Sequence, residues 1–130
     1  MQDILDKKDF QVVKEGITYP KGIKAAGVKC GIRFNKKDLA LIYSEKLADA
    51  WGTFTTNKFK AAPLVVTEKN LSQSGGKLQA VLINSGIANA CTGEKGLQDA
   101  WNTVNYISEG LKINQEYVAV SYTHLTLPTI

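Results

Sequence analysis

The chain has 130 residues, 44% of them hydrophobic, and a net charge of +4, enough for one domain with a buried core. Its lysines are scattered among acidic and apolar neighbours, which argues against a nucleic-acid binder, and no apolar run approaches the ~20 residues of a membrane-spanning helix. Cys30 and Cys91 lie far apart with no C-x-x-C pair or histidine partner, so no metal site is expected; they read as reduced, mostly buried thiols of a soluble, cytoplasmic protein.

In chain order, residues 1–15 are charged and weakly patterned, a leader without the uninterrupted apolar core of a signal peptide. Gly16 to Gly31, punctuated by glycine and Pro20, favours extended segments and turns. Asp38 to Ser44 is a short apolar run that reads as a buried strand. Ala50 to Thr55 reads as a second strand, with Trp51 and Phe54 as core candidates. After a polar break, Pro63 opens Leu64-Val65-Val66-Thr67, whose β-branched content favours a strand. The residues beyond it suit a short helix stopped by Gly75-Gly76. Leu78 to Ile83 is a further apolar run. It delivers the chain into Asn84-Ser-Gly-Ile-Ala-Asn-Ala-Cys-Thr-Gly93, a loop of small and amide residues.

Leu97, Ala100, Trp101, Val104, Ile107 and Leu111 then recur at spacings of three and four, the mark of an amphipathic helix. Glu94 falls where the helix dipole favours an anion, and Gly110 weakens the last turn. Asn114 to Glu116 makes a turn before a strand from Tyr117 to Val120. Strands alternating with helices predict an α/β layered fold.

Two polar clusters stand at strand ends. Asn84 to Gly93 lies at a strand–loop–helix junction, where backbone N–H groups and side-chain amides can meet a ligand. It is neither a P-loop nor a nucleophile elbow, and its Asn and Ser side chains could equally serve only to hydrogen-bond the backbone. Thr55 and Asn57, in Phe54-Thr-Thr-Asn57, suit either a substrate carboxylate or a turn cap. Cys91 has no histidine or cation before it to activate it and reads as a packing residue.

Taken together, Gly16-Ile-Thr-Tyr-Pro-Lys-Gly-Ile-Lys-Ala-Ala-Gly-Val28, Asp38-Leu-Ala-Leu-Ile42, Gly52-Thr-Phe-Thr-Thr-Asn57, Lys60-Ala-Ala-Pro63 and Asn84 to Glu94 resemble, in order and spacing, the amino-terminal part of the glutamate N-acetyltransferase/ornithine acetyltransferase family of arginine biosynthesis. The resemblance runs from about residue 16 to about residue 119, a minority of the family's length. Within the loop, Ile87 stands where the family usually has Asn.

The resemblance implies an incomplete layered α/β fold of the self-processing type. It also implies a precursor that cuts itself at an Ala-Thr bond, exposing a threonine nucleophile that carries acetyl from N-acetylornithine to glutamate. Metal and obligatory acetyl-CoA are not implied, acetyl-CoA being an additional donor in bifunctional members. The implied partners are those two substrates, the enzyme's own carboxy-terminal (β) subunit and a heterotetrameric parent, with no nucleic acid or membrane.

No catalytic residue carries over. The nucleophilic threonine would lie past Ile130, and Ser121-Tyr122-Thr123 stands where the oxyanion-hole Ser-Thr-Gly is expected. Thr55, Asn57, Asn84, Ser85 and Asn89 are therefore expected only as supports of the substrate site, and the chain alone is expected to be inactive. Two other readings are a non-catalytic amino-acid-binding module and a related self-processing aminopeptidase.

Val120 to Thr129 departs from the family and matches the translation of a transposon adapter used in sequencing libraries. Residues 120–130 are thus read as an artefactual tail, and His124, the only histidine, is given no role.

Overall fold

The computed structural model describes residues 12–123. Residues 1–11 of the leader and residues 124–130 of the tail, with His124, lie outside them. After a single 3-10 turn at Gly16–Thr18 come β1 (Ile23–Val28), β2 (Leu39–Asp49), α1 (Ala62–Gln73), β3 (Lys77–Ser85), α2 (Gly93–Leu111), a second 3-10 turn (Gln115–Tyr117) and β4 (Val118–Thr123). The strands form one sheet in the order β1-β2-β3-β4. The first two pairings are antiparallel, whereas β3 and β4 run parallel. The parallel step follows from the connection, since α2 carries the chain back to the end of the sheet from which β3 began.

The α/β class is as the sequence predicts. The core lies between one sheet face and the two helices, where Val66 of α1 and Val104 of α2 meet Ala80, Leu82, Val118 and Val120. Leu39, Leu41 and Tyr43 extend this face along β2. Strand β4 enters this core through Val120 and continues to Thr123.

Helix α2 buries Ala100 and Val104 on the expected face, with Leu97, Trp101, Ile107 and Leu111 flanking them. Glu94 occupies its first turn. The stripe also includes Gly96 and Ser108, both buried, which an apolar pattern does not reveal. Gly110 lies in the last turn, within the helix. Lys112 takes the left-handed conformation, and Ile113 N–H donates to Ser108 C=O at 3.1 Å. That bond and the one from Lys112 N–H to Glu109 C=O close the helix as a Schellman motif.

Two expected strands do not form. Leu64 to Thr67 belongs to α1, which starts at Ala62 with Pro63 in its first turn. Proline suits that position because its missing N–H would be unpaired there anyway. The weak β preference of Val65 and Val66 yields to packing, for the helix buries Val66 completely. Gly75-Gly76 does end this helix, with Gly76 N–H donating to Leu71 C=O at 2.9 Å.

Ala50 to Thr55 forms no strand either. A register shift between Tyr43 and Ala48 lets β2 run on to pair Asp49 with Lys77, the first residue of β3. Beyond that point β3 offers no further residue to pair. Trp51, expected in the core, is therefore 93% exposed, and Phe54 is half-buried.

Helix α1 also shields the outer edge of β4. Asn70, 1% exposed, donates through Nδ2 to the carbonyls of Gln115 (2.9 Å) and Val118 (2.8 Å). The Thr67 hydroxyl donates to Val120 C=O at 2.9 Å and accepts from Val120 N–H at 3.0 Å. Side chains thus take the place of a further strand along this edge.

Candidate functional site

Strands β3 and β4 end side by side, with Ile83 opposite Ser121 and Asn84 opposite Tyr122. From this end the 86–92 loop crosses to the start of α2. The ends of the strands, the loop and α2 enclose a cleft of about 420 Å³. Its floor is apolar, from Leu82, Ala100 and Val120, while Asn84, Asn89, Thr92, Lys95 and Asp99 supply polar groups. Such a mixture suits a small molecule with an aliphatic body and polar ends. Lys95 and Asp99 pair at 2.7 Å, one helical turn apart on the exposed face.

The loop's shape follows from its amides. Asn84 Nδ2 donates to Ile87 C=O at 2.8 Å, folding the chain sharply after β3. Asn89 Nδ2 donates to Gly96 C=O at 2.8 Å, and its Oδ1 accepts the Thr92 hydroxyl. Asn89 C=O takes the N–H of Ala62, which the first turn of α1 leaves unpaired. Loop, α1 and α2 therefore share a single hub at Asn89.

Glycine is required at two places for different reasons. Gly86 has φ +101°, and an added Cβ would also come within 2.9 Å of Ile32 Cγ2. At Gly96 a Cβ would overlap Thr92 Oγ1, Thr92 Cβ and Asn89 Oδ1.

The structure brings Asn84, Ser85 and Asn89 together, although Ser85 faces outward, its hydroxyl accepting from Arg33 Nη1 at 3.2 Å. Thr55 and Asn57 lie elsewhere, exposed, on neither the cleft nor its rim. Thr55 Oγ1 accepts from Asn57 N–H at 3.1 Å, and Asn57 Oδ1 from Phe59 N–H at 3.0 Å. Both make turns of the Asx and Ser/Thr kind. The cysteines correct the expected burial, because Cys30 and Cys91 are both exposed. Each stands in a loop, and Cys91 has φ +56° at the turn into α2.

Asp38 was legible only as the start of a strand, yet it organises the next wall. It is 2% exposed, and its carboxylate accepts the N–H groups of Cys30 (2.7 Å), Gly31 (3.1 Å) and Arg33 (2.8 Å). Its own C=O accepts Ser85 N–H at 2.8 Å. The signal available in the sequence was an aspartate a few residues after a glycine-containing turn whose amides need an acceptor. The backbone N–H groups of Cys30 and Arg33 hold the Asp38 carboxyl well below the usual carboxylate range. The same carboxylate, as a hydrogen-bond acceptor, pushes the Cys30 thiol up, making it a poorer nucleophile.

The sign of the linkage is fixed by that depression. The contribution of Asp38 to stability is complete above the unfolded-chain value of about 3.9 and is lost as pH falls below it. Acid titration of folding is expected to show a destabilising arm below about pH 4 that Asp38→Asn removes. An unchanged acid arm in that variant would refute the assignment.

The comparisons with known proteins agree with the fold. The ArgJ family model matches residues 24–126. The arginine biosynthesis bifunctional protein ArgJ of Staphylococcus aureus (strain COL) is 48% identical over 116 residues, covering 88% of this chain and 28% of that protein. Its namesake from Bacillus subtilis (strain 168) is 47% identical over 122 residues, covering 92% and 30%. The chain thus spans less than a third of the curated relatives it matches.

Among solved structures, the arginine biosynthesis bifunctional protein ArgJ from Bacillus halodurans superposes with a TM-score of 0.76 at 43% identity, over 83% of this chain and 58% of that one. The Mycobacterium tuberculosis ornithine acetyltransferase, solved in complex with ornithine, gives 0.77 at 39% identity, over 86% and 61%.

Proposed function

Because the chain belongs to the ArgJ family, we propose that it is the amino-terminal part of an acetyltransferase that moves acetyl from N-acetylornithine to glutamate through a threonine acyl-enzyme. The observation that carries this reading is the cleft where β3 and β4 end together, floored by apolar residues and rimmed by amides. It is sized for an amino acid with an aliphatic chain, and the M. tuberculosis relative was solved with ornithine.

In this reading Asn84, Asn89 and Ser85 hold the loop that shapes the cleft. Thr55 and Asn57 support the site only through the turn they stabilise. The attacking hydroxyl belongs to a carboxy-terminal β subunit, released by self-cleavage and assembled with this part into a heterotetramer in the cytoplasm. Acetyl-CoA serves as an additional donor only if the parent is bifunctional, and no metal is required. Residues 16–119 form the α-subunit portion after a 1–15 leader, and 120–130 derive from adapter sequence.

The cleft hydroxyls support inactivity of the chain alone. Thr92 and Thr103 donate to Asn89 Oδ1 and to Asp99 C=O, and the Lys95 amine is paired with Asp99. Ser121, the remaining hydroxyl on the cleft, has no base among the described residues hydrogen-bonded to it to take its proton. No histidine occurs among the described residues to act as base. The purified chain is expected to form no N-acetylglutamate from N-acetylornithine and glutamate, followed by mass spectrometry. Measurable turnover, or an acetylated residue within the chain, would overturn the proposal. Saturable ornithine binding without turnover agrees with an inactive enzyme part and with a free-standing binding module alike. A downstream reading frame lacking both Thr-Gly and Ala-Thr would favour that module over an enzyme part.

A further inference from the structure

The structure assigns to Asp38 the role of a positioning residue: its carboxylate occupies an anion nest formed by the backbone of residues 30–33 and thereby holds Ile32 as a wall of the cleft. The assignment rests on the cleft reading only for its functional meaning; the clamp itself is a matter of geometry.

Three N–H groups, from Cys30, Gly31 and Arg33, converge on the two oxygens of one carboxylate that is 2% exposed. Concave runs of backbone N–H groups of this kind bind anions. Here the anion is supplied from within the chain. The 29–37 loop is otherwise mostly exposed and carries Phe34 at 99% exposure. It has too little apolar burial to fix its own position.

From the nest the loop reaches the cleft by two routes. Ile32 lines the cleft directly and lies against Gly86. Arg33 donates to the Ser85 hydroxyl at 3.2 Å. Asp38 meanwhile ties its own C=O to Ser85 N–H. One residue therefore sets the end of β3 and the wall beside it in a common frame, so that Gly86 and Ile32 meet at a fixed separation. A side chain longer by one methylene cannot place both oxygens in the same nest without moving the loop.

The charged and titratable groups around this carboxylate are few. The Cys30 thiol is pushed up by it, the Arg33 guanidinium is directed to Ser85, and the Lys29 amine donates to Asn35 Oδ1 at 3.1 Å. Lys37 lays its stem against Gly27. Hydrogen bonds to backbone, rather than a partner cation, hold the carboxylate.

The test is amide hydrogen exchange and NOE spectroscopy on the full chain, with Asp38→Asn and Asp38→Glu beside the parent. The amides of Cys30, Gly31 and Arg33 are expected to exchange at least ~10-fold faster in Asp38→Asn, with the Ile32–Gly86 NOE lost and protection at Leu41 and Leu82 retained. Asp38→Glu is expected to show the same pattern to a smaller degree. Unchanged exchange at the three amides, or equal loss of protection across the whole sheet, overturns the assignment. Should Asp38→Asn not fold, acid titration of the parent decides. The three amide resonances must follow the Asp38 carboxyl resonance, and independent titration overturns the clamp. Ornithine titrated into the same parent sample separates the two readings: no shift at Asn84, Asn89 or Thr92 sinks the cleft as a ligand site and leaves the clamp standing.

Discussion

Gly96→Ala is expected to destabilise the chain by about 1–3 kcal/mol, although alanine is the better helix former by about 1 kcal/mol. Gly96 lies in the first turn of α2, buried, and the space its Cβ would take is filled by Thr92 and Asn89. Those atoms belong to short side chains already committed to each other and to Gly96 C=O. To admit a methyl group the Asn89 hub must open, and the 86–92 loop loses its anchor on both helices. The control is Gly110→Ala in the same helix. A Cβ there meets nothing within 4 Å, so intrinsic propensity decides, and a gain of up to about 1 kcal/mol is expected. Chemical denaturation of both variants gives the comparison. If Gly96→Ala were as stable as Gly110→Ala, the close approach at the loop would be wrong.

Asn70→Ala is expected to cost about 2–4 kcal/mol, as the buried Val118 carbonyl and the Gln115 carbonyl in the turn before it lose their side-chain donor. The side chain is almost wholly buried in α1 and spans to the segment that begins β4. Removing it leaves Val118 C=O facing a cavity rather than water, and Val118 itself is fully buried. Asn70→Leu restores the volume but not the donor, and should recover only the packing part of the loss. Thr67→Val tests the adjacent pair of bonds to Val120 and is expected to cost about 1–2 kcal/mol. The two positions act on one strand, so their double variant should depart from additivity. Equal stability of Asn70→Leu and the parent would show that the bonds to β4 contribute nothing net.

These expectations also show where physical reading of a sequence succeeds. The α2 stripe of Leu97, Ala100, Trp101, Val104, Ile107 and Leu111 was visible because a helix with one buried face repeats every three to four residues. The strands around Ile42 and Val81 were visible as apolar runs between turn residues. At Val65-Val66 the local preference pointed to a strand, and packing of Val66 beneath the sheet made it a helix. Trp51 looked like a core residue because aromatic side chains usually find cover, yet β3 starts too late to pair the segment that carries it.

For the site, the sequence alone determined that a loop of amides and small residues joins a strand to a helix, and its motifs pointed to the family. Tertiary structure decided which of those polar residues share a cleft: it gathered Asn84 and Asn89, turned Ser85 toward Arg33, and left Thr55 and Asn57 in a separate turn. It also decided the importance of Asp38 and Gly96. A carboxylate bonded to amides five to eight residues back, and a glycine required by side chains four and seven residues away, depend on how the chain returns on itself. Periodicity records which face of an element is buried; it carries no record of which loop will lie against it.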